Sequence, residues 1–131
     1  MPLMVEIAPG ELIDKITILA IKRARIEDPE KRCNVEHEYS LLTALRNSAL
    51  GDDETLSALH AALQATNETI WQIEDDIRDH ERRQDFGPSF VALARAIYHN
   101  NDRRAALKRD INTWLNSAII EEKSYTDYRA V

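Results

Sequence analysis

The sequence predicts an all-α fold: an antiparallel helical bundle of two unequal helical hairpins, with short extended N- and C-terminal segments. Three observations carry this reading. Leu56, Leu59, Leu63, Thr66, Ile70, Ile73 and Ile77 recur at alternating intervals of three and four, the period of one helical face. Phe90, Leu93, Ile97, Asn100, Arg104, Leu107, Ile111 and Trp114 repeat that spacing. Folded back at Asp85-Phe86-Gly87, the two series pair in order: Ile77 with Leu93, Ile73 with Ile97, Leu63 with Leu107, Leu59 with Ile111, and Leu56 with Trp114. The polar positions of this seam fall together, with Thr66 opposite Arg104 and Asn100 opposite Ile70.

Residues 3–8 are extended in character, because Leu3, Val5 and Ile7 alternate. Pro9 suits a first helical turn, where its missing N–H costs nothing. Helix 1 is expected to run from there to about Asp28. Pro29 ends it or opens helix 2, since the residue before a proline avoids the helical region. Helix 2 is expected to reach about Asn47. Its seam with helix 1 mirrors the longer one: Leu12 with Ala49, Ile16 with Leu45, Leu19 with Leu42, Ile26 with Val35, and a charged rung of Arg23 opposite Glu38. Gly51-Asp52-Asp53 is a turn whose aspartates suit the cap of helix 3, expected to reach about Arg83. Asp85-Phe86-Gly87-Pro88 is the next break. Helix 4 is expected from Pro88 or Ser89 to about Asn116. His99-Asn100-Asn101-Asp102 has the composition of an interruption. The apolar phase resumes in register beyond it, which favours one continuous helix. From Ser117 the tail is polar apart from Ile119 and Ile120.

Residues 1–131 read as a single domain, long enough to bury a core without disulfides or metal. Apolar residues are 44% and charged residues 31%, the balance of a helix-rich globular protein. The net charge of −6 argues against nucleic acid or an anionic membrane as partner, because both need a positive footprint. Cys33 is the one cysteine, which fits a reducing compartment. The start has no basic leader and no apolar run of signal length, and no stretch is long enough to span a bilayer. The expected location is therefore the cytoplasm.

Charged residues at seam positions are the candidate polar site. Asn100, Arg104 and Lys108 share one helical face, with Asp102 and Arg103 beside them. A desolvated Arg104 needs an acceptor: an acidic side chain, backbone carbonyls or a bound anion. The structural reading is an ion pair that sets hairpin register. An acidic group of helix 1, Glu11 or Asp14, or of the tail, Glu121 or Glu122, is expected within about 4 Å of its guanidinium. Glu11, Asp14, Lys15, Lys22 and Arg25 form one stripe of helix 1. Ile13, Ile18 and Ile21 make that helix apolar nearly all round, so it is central or at an interface.

Other chemistry is weaker. The consecutive Glu74, Asp75 and Asp76 point in different directions on a helix. Only Asp75 with Asp79, and Asp76 toward the seam, have useful geometry, and Arg78 and Arg82 neutralise part of the cluster, so it makes a poor cation site. His37, His60, His80 and His99 are scattered without a metal-binding spacing. Neither a phosphate loop nor a nucleophile elbow occurs. No metal or cofactor is expected. Trp71 lies outside the helix 3 seam, where either helices 1 and 2 or a second subunit would cover it.

Four segments carry a resemblance: PGELIDKITIL at Pro9 to Leu19, DFGP at Asp85 to Pro88, NDRRAALKRDIN at Asn101 to Asn112, and EEKSY at Glu121 to Tyr125. Together they resemble an uncharacterised family of small bacterial helical proteins, a domain of unknown function. Ala8 stands where that family's pattern has serine, which leaves the helix 1 cap without its usual oxygen. The resemblance implies a single helical domain and brings no activity with it. It adds Glu122, Lys123 and Tyr125 to the candidate residues. The expected function is a small binding or interaction module that self-associates or takes a protein partner. The alternative is an enzyme or binding protein for a small anionic metabolite, phosphorylated, nucleotide-linked or carboxylate, using the Arg/Lys/Asp/Glu cluster.

Overall fold

The computed structural model describes residues 1–129 and contains four helices: α1 (Pro9–Arg25), α2 (Pro29–Leu50), α3 (Glu54–Arg82) and α4 (Pro88–Trp114). Proline opens α1, α2 and α4, as its fixed φ favours. Asp28 caps α2 by accepting from the Lys31 N–H at 3.0 Å, and Asp53 caps α3 by accepting from the Leu56 N–H at 2.7 Å. Helix α2 runs past Asn47 to Leu50 and stops at Gly51, whose φ of 68° suits a residue without a Cβ.

Gln84 and Asn116 end α3 and α4 in the left-handed region, with φ of 57° and 55°. The Asp85 N–H then reaches back to the His80 carbonyl, and the Ser117 N–H to the Asn112 carbonyl. That closure stops α4 at Trp114, two residues before the expected Asn116. Helix α4 passes through His99–Asp102 unbroken. Asn100 spends its amide on the Ala96 carbonyl at 2.9 Å instead of capping a new helix.

Helices α3 and α4 form the long antiparallel hairpin, and α1 lies against both of them and against α2. Helix α2 runs alongside α1 alone among the helices, and only its last residue, Leu50, packs against the core. The core is Ile13, Leu56, Leu63, Leu107 and Ile111, so α1 drives one isoleucine into the α3–α4 seam. Leu12, Ile13, Ile16, Thr17, Leu19 and Ile21 of α1 are all buried, so it is the central helix. Among the described residues, no helix is long and apolar enough to cross a membrane.

Several expected rungs shift. On α2, Leu45 is 50% exposed and Ala49 is exposed too. The inward face instead carries Val35, Tyr39, Leu42, Arg46 and Leu50. The two series share Val35 and Leu42 and differ by one position at each remaining rung. Arg46 is buried and donates to the Gly51 carbonyl at 3.0 Å. Arg23 pairs with Glu36 at 2.8 Å rather than Glu38, and its guanidinium lies over the Tyr39 ring. Trp114 is half exposed. Its indole N–H donates to Asp53 at 3.3 Å, bracing the α3 cap from outside the seam.

Beyond α4 the chain turns back and runs along that helix. Glu121 meets Lys108, Glu122 meets Arg109, and the Tyr128 ring lies against Tyr98 and His99.

Candidate functional site

The twelve candidate residues separate into a clamp, a buried relay and a tail cluster, with two outliers. The clamp sits where α1 begins. Ala8 offers no side-chain cap, so the first turn of α1 lacks a local acceptor. Asn112 of α4 supplies one: its Oδ1 accepts from the buried Gly10 N–H at 2.7 Å. The helices approach so closely there that a Cβ on Gly10 would stand 2.5 Å from the Lys108 carbonyl oxygen. Next to this contact, Lys108 Nζ lies 2.7 Å from Glu11 and 2.7 Å from Glu121, and Lys15 adds a longer contact of 3.7 Å to Glu11.

The hydrogen bond from Lys108, with its positive charge, holds the Glu11 carboxyl below the usual carboxylate range against a smaller penalty from burial. Burial alone would pull Lys108 down. The bonds to Glu11 and Glu121 and the field of Glu11 and Asp14 together outweigh it, so its pKa is raised. A shallow cleft of about 210 Å³ lies alongside, lined by Lys108, Arg109, Asn112, Glu121 and Lys123.

The relay sits deeper, between α1, α3 and α4. Asn67 Nδ2 donates to Asp14 Oδ1 and to Thr17 Oγ1, both at 2.8 Å. Thr17 in turn donates to the Asp14 carbonyl at 2.7 Å. Asp14, Thr17 and Asn67 are all buried. Two acceptors on one side fix the amide, so its carbonyl oxygen faces the other way. There it accepts from Arg104 Nη1 at 3.3 Å, while Arg104 Nη2 donates to Asn101 at 2.7 Å.

The carboxylate expected beside Arg104 is therefore absent. Among the described residues no acid lies within 4.0 Å of this guanidinium. Asp14 of α1 is linked to it through the Asn67 amide instead. Thr66, expected opposite Arg104, meets Arg103 at 3.3 Å. Arg104 also lines an open apolar cleft of about 330 Å³ with Ile18, Ile21, Ile70 and Trp71. Trp71 is thus covered in part by α1.

The tail cluster gathers Asp102, Lys123 and Tyr125 around a cleft of about 720 Å³ between α4 and the returning chain. Glu122 is committed to Arg109 at 3.1 Å. The Tyr128 hydroxyl lies 3.1 Å from His99 Nδ1, and the nearby Asp102 carboxylate holds the phenol's pKa up. Two candidates stand apart. Asn100 faces its own helix, and Lys22 is half-buried on α1 away from the clamp. Glu74 pairs with Arg78, and Asp79 with Arg82 and Arg83. Among the described residues no group of three His, Cys, Asp or Glu is placed to hold a metal ion.

Thr17, Asn67 and Asn112 were not among the predicted site residues. The two asparagines had a faint signal: Asn67 lies four residues after Leu63 and three before Ile70, and Asn112 lies one turn after Lys108. A polar residue at such a position is buried only if every one of its groups finds a partner.

The chain matches, over residues 3–130, the family described as Family of unknown function (DUF6165), and it belongs to that family. No curated protein matches the chain, and no solved structure does.

Proposed function

We propose that this protein is an interaction module that self-associates through an exposed apolar arm. Residues 1–7 carry the reading. Met1, Leu3, Met4 and Val5 are 106%, 79%, 97% and 76% exposed, with Ile7 at the margin. No backbone hydrogen bond ties these residues to the helices. An extended segment with apolar side chains and free backbone groups is a ready donor for association. Leu41 and Leu45 add a second exposed apolar strip on the outer face of α2.

The charged candidates support this reading from the other side. Glu11, Lys108 and Glu121 tie α1 and the tail to α4, and Asp14, Asn67 and Arg104 tie α1 to the hairpin. These groups are engaged in holding helices together. Cys33 is exposed and free, which suits a reducing cytoplasm.

Sedimentation at micromolar concentration tests the proposal. The full chain is expected at a multiple of 15.0 kDa, and a chain lacking residues 1–7 at the monomer mass. A full chain that stays at 15.0 kDa would end the self-association reading.

A further inference from the structure

The cleft between α1 and α3 has an apolar floor and one under-used cation. Ile18 and Ile21 of α1 face Ile70 and Trp71 of α3, and Arg104 closes one end beside Asn67. A guanidinium offers five N–H donors. Among the described residues two of the five are engaged, both by neutral amide oxygens. At the far end Arg78 is already paired with Glu74. The cleft therefore suits an apolar segment that carries a carboxylate at the Arg104 end.

The arm has that composition. Leu3, Val5 and Ile7 alternate onto one face of an extended segment, and Glu6 is the only acid before Glu11. Seven extended residues reach about 23 Å. The cleft runs along α3 from Asn67 to Arg78, about 16 Å at 1.5 Å per residue. Four or five arm residues would fill it. The arm leaves the domain at Ala8, which is buried, extended and held beside the Gly10–Asn112 contact, and it does not enter its own cleft.

We infer that the cleft receives the arm of a second copy of this chain, with Glu6 supplying the carboxylate that Arg104 lacks. Leu3 and Val5 then cover the half-buried Ile18 and Trp71, while Glu6, on the other edge of the arm, turns to Arg104 at the end of the cleft. Reciprocal exchange uses both arms and both clefts and closes as a two-fold dimer, with no open end to propagate. This inference rests on the self-association proposed above and names its seat.

Charge reversal tests it in the full chain. Glu6→Arg and Arg104→Glu are each expected to weaken dimerisation at least tenfold by sedimentation equilibrium. Mixing the two variants restores it, because each arm then meets a cleft of opposite charge. The double variant in one chain restores it for the same reason. Val5→Asp weakens the dimer without touching Arg104, so the test survives if Arg104→Glu fails to fold by circular dichroism.

A dimer that loses its stability with residues 1–7 yet ignores Glu6→Arg and Val5→Asp overturns the seat and leaves self-association standing. A monomeric full chain overturns both. A monomer whose Trp71 emission shifts on arm removal, read in a Trp114→Phe background, places the arm in its own cleft and also overturns the inference.

Discussion

Helices α1 and α2 are neighbours in sequence and opposites in environment. Helix α1 buries Gly10, Leu12, Ile13, Asp14, Ile16, Thr17, Leu19 and Ile21 among its 17 residues. Helix α2 buries only Val35 and Arg46 among its 22. The cause is the number of neighbours: α1 has three helices around it, and α2 runs alongside α1 alone. A helix with three neighbours has almost no face to spare, so its polar residues must be satisfied inside, as Asp14 and Thr17 are. A helix with one neighbour keeps apolar residues such as Leu41 and Leu45 on an open face. Burial of a side chain is a property of the surroundings that its own helix periodicity only half determines.

The sharpest way to break this contrast is a pair of truncations. Ile13 is fully buried, so Ile13→Ala should cost about 2–5 kcal/mol in a urea titration. Leu41→Ala on α2 should change stability by less than about 0.5 kcal/mol. Equal losses would mean that α2 is covered and the contrast is wrong.

A smaller effect is expected at the α1–α4 contact. Gly10→Ala puts a methyl 2.5 Å from a backbone oxygen that cannot swing aside. Overpacking of that kind costs about 1–3 kcal/mol. A neutral result in thermal melts would show that the helices stand further apart. Asn112→Ala removes the acceptor of the Gly10 N–H, and loss of a helix cap costs about 0.5–2 kcal/mol. A comparable change at Ser48, exposed on α2 and bonded only to its own helix, should be near neutral.

The smallest effect is a pH dependence. Glu11 has a depressed folded pKa, so its contribution is complete above the ordinary carboxylate value and is lost as pH falls through the folded value. Lys108 has a raised folded pKa, so its contribution is complete at neutral pH and fades only in strong alkali. The clamp therefore adds stability across the neutral range and weakens in acid. Glu11 is a third exposed, so the change should stay below about 1 kcal/mol. Glu11→Gln should flatten the acid limb of stability against pH. An unchanged limb would show that other carboxylates govern it.

The hairpin of α3 and α4 was legible because both helices carry a long, unbroken apolar phase that only a partner of the same length satisfies. Helix starts were legible because proline and aspartate act locally. The continuity of α4 was legible because a broken helix has no reason to resume in phase. The seam of α2 was not legible: a series through Leu45 and one through Arg46 differ by a single position, and the aliphatic stem of an arginine can lie along an apolar surface once its head finds an acceptor, here the Gly51 carbonyl. The partner of Arg104 was not legible either. The carboxylate expected within about 4 Å is not there: two amide oxygens hold the guanidinium, and Asp14 is linked to it only through Asn67. Asparagine reads in sequence as a cap or a break. Asn67 escapes that preference because Asp14, Thr17 and Arg104 together satisfy both ends of its side chain.

The bond between Gly10 and Asn112 joins residues 102 positions apart, and it sets an order of events during synthesis. At about 5–20 residues per second, a ribosome needs roughly 5–20 s to make the second residue after the first. For the first part of that interval α1, the most apolar helix of the protein, has neither α3 nor α4 to cover it, and α4 arrives last. Helix α2, next off the ribosome, shelters one side. Helix α2 thus has a use in time that its modest burial in the finished molecule does not reveal: it is the first cover available to α1.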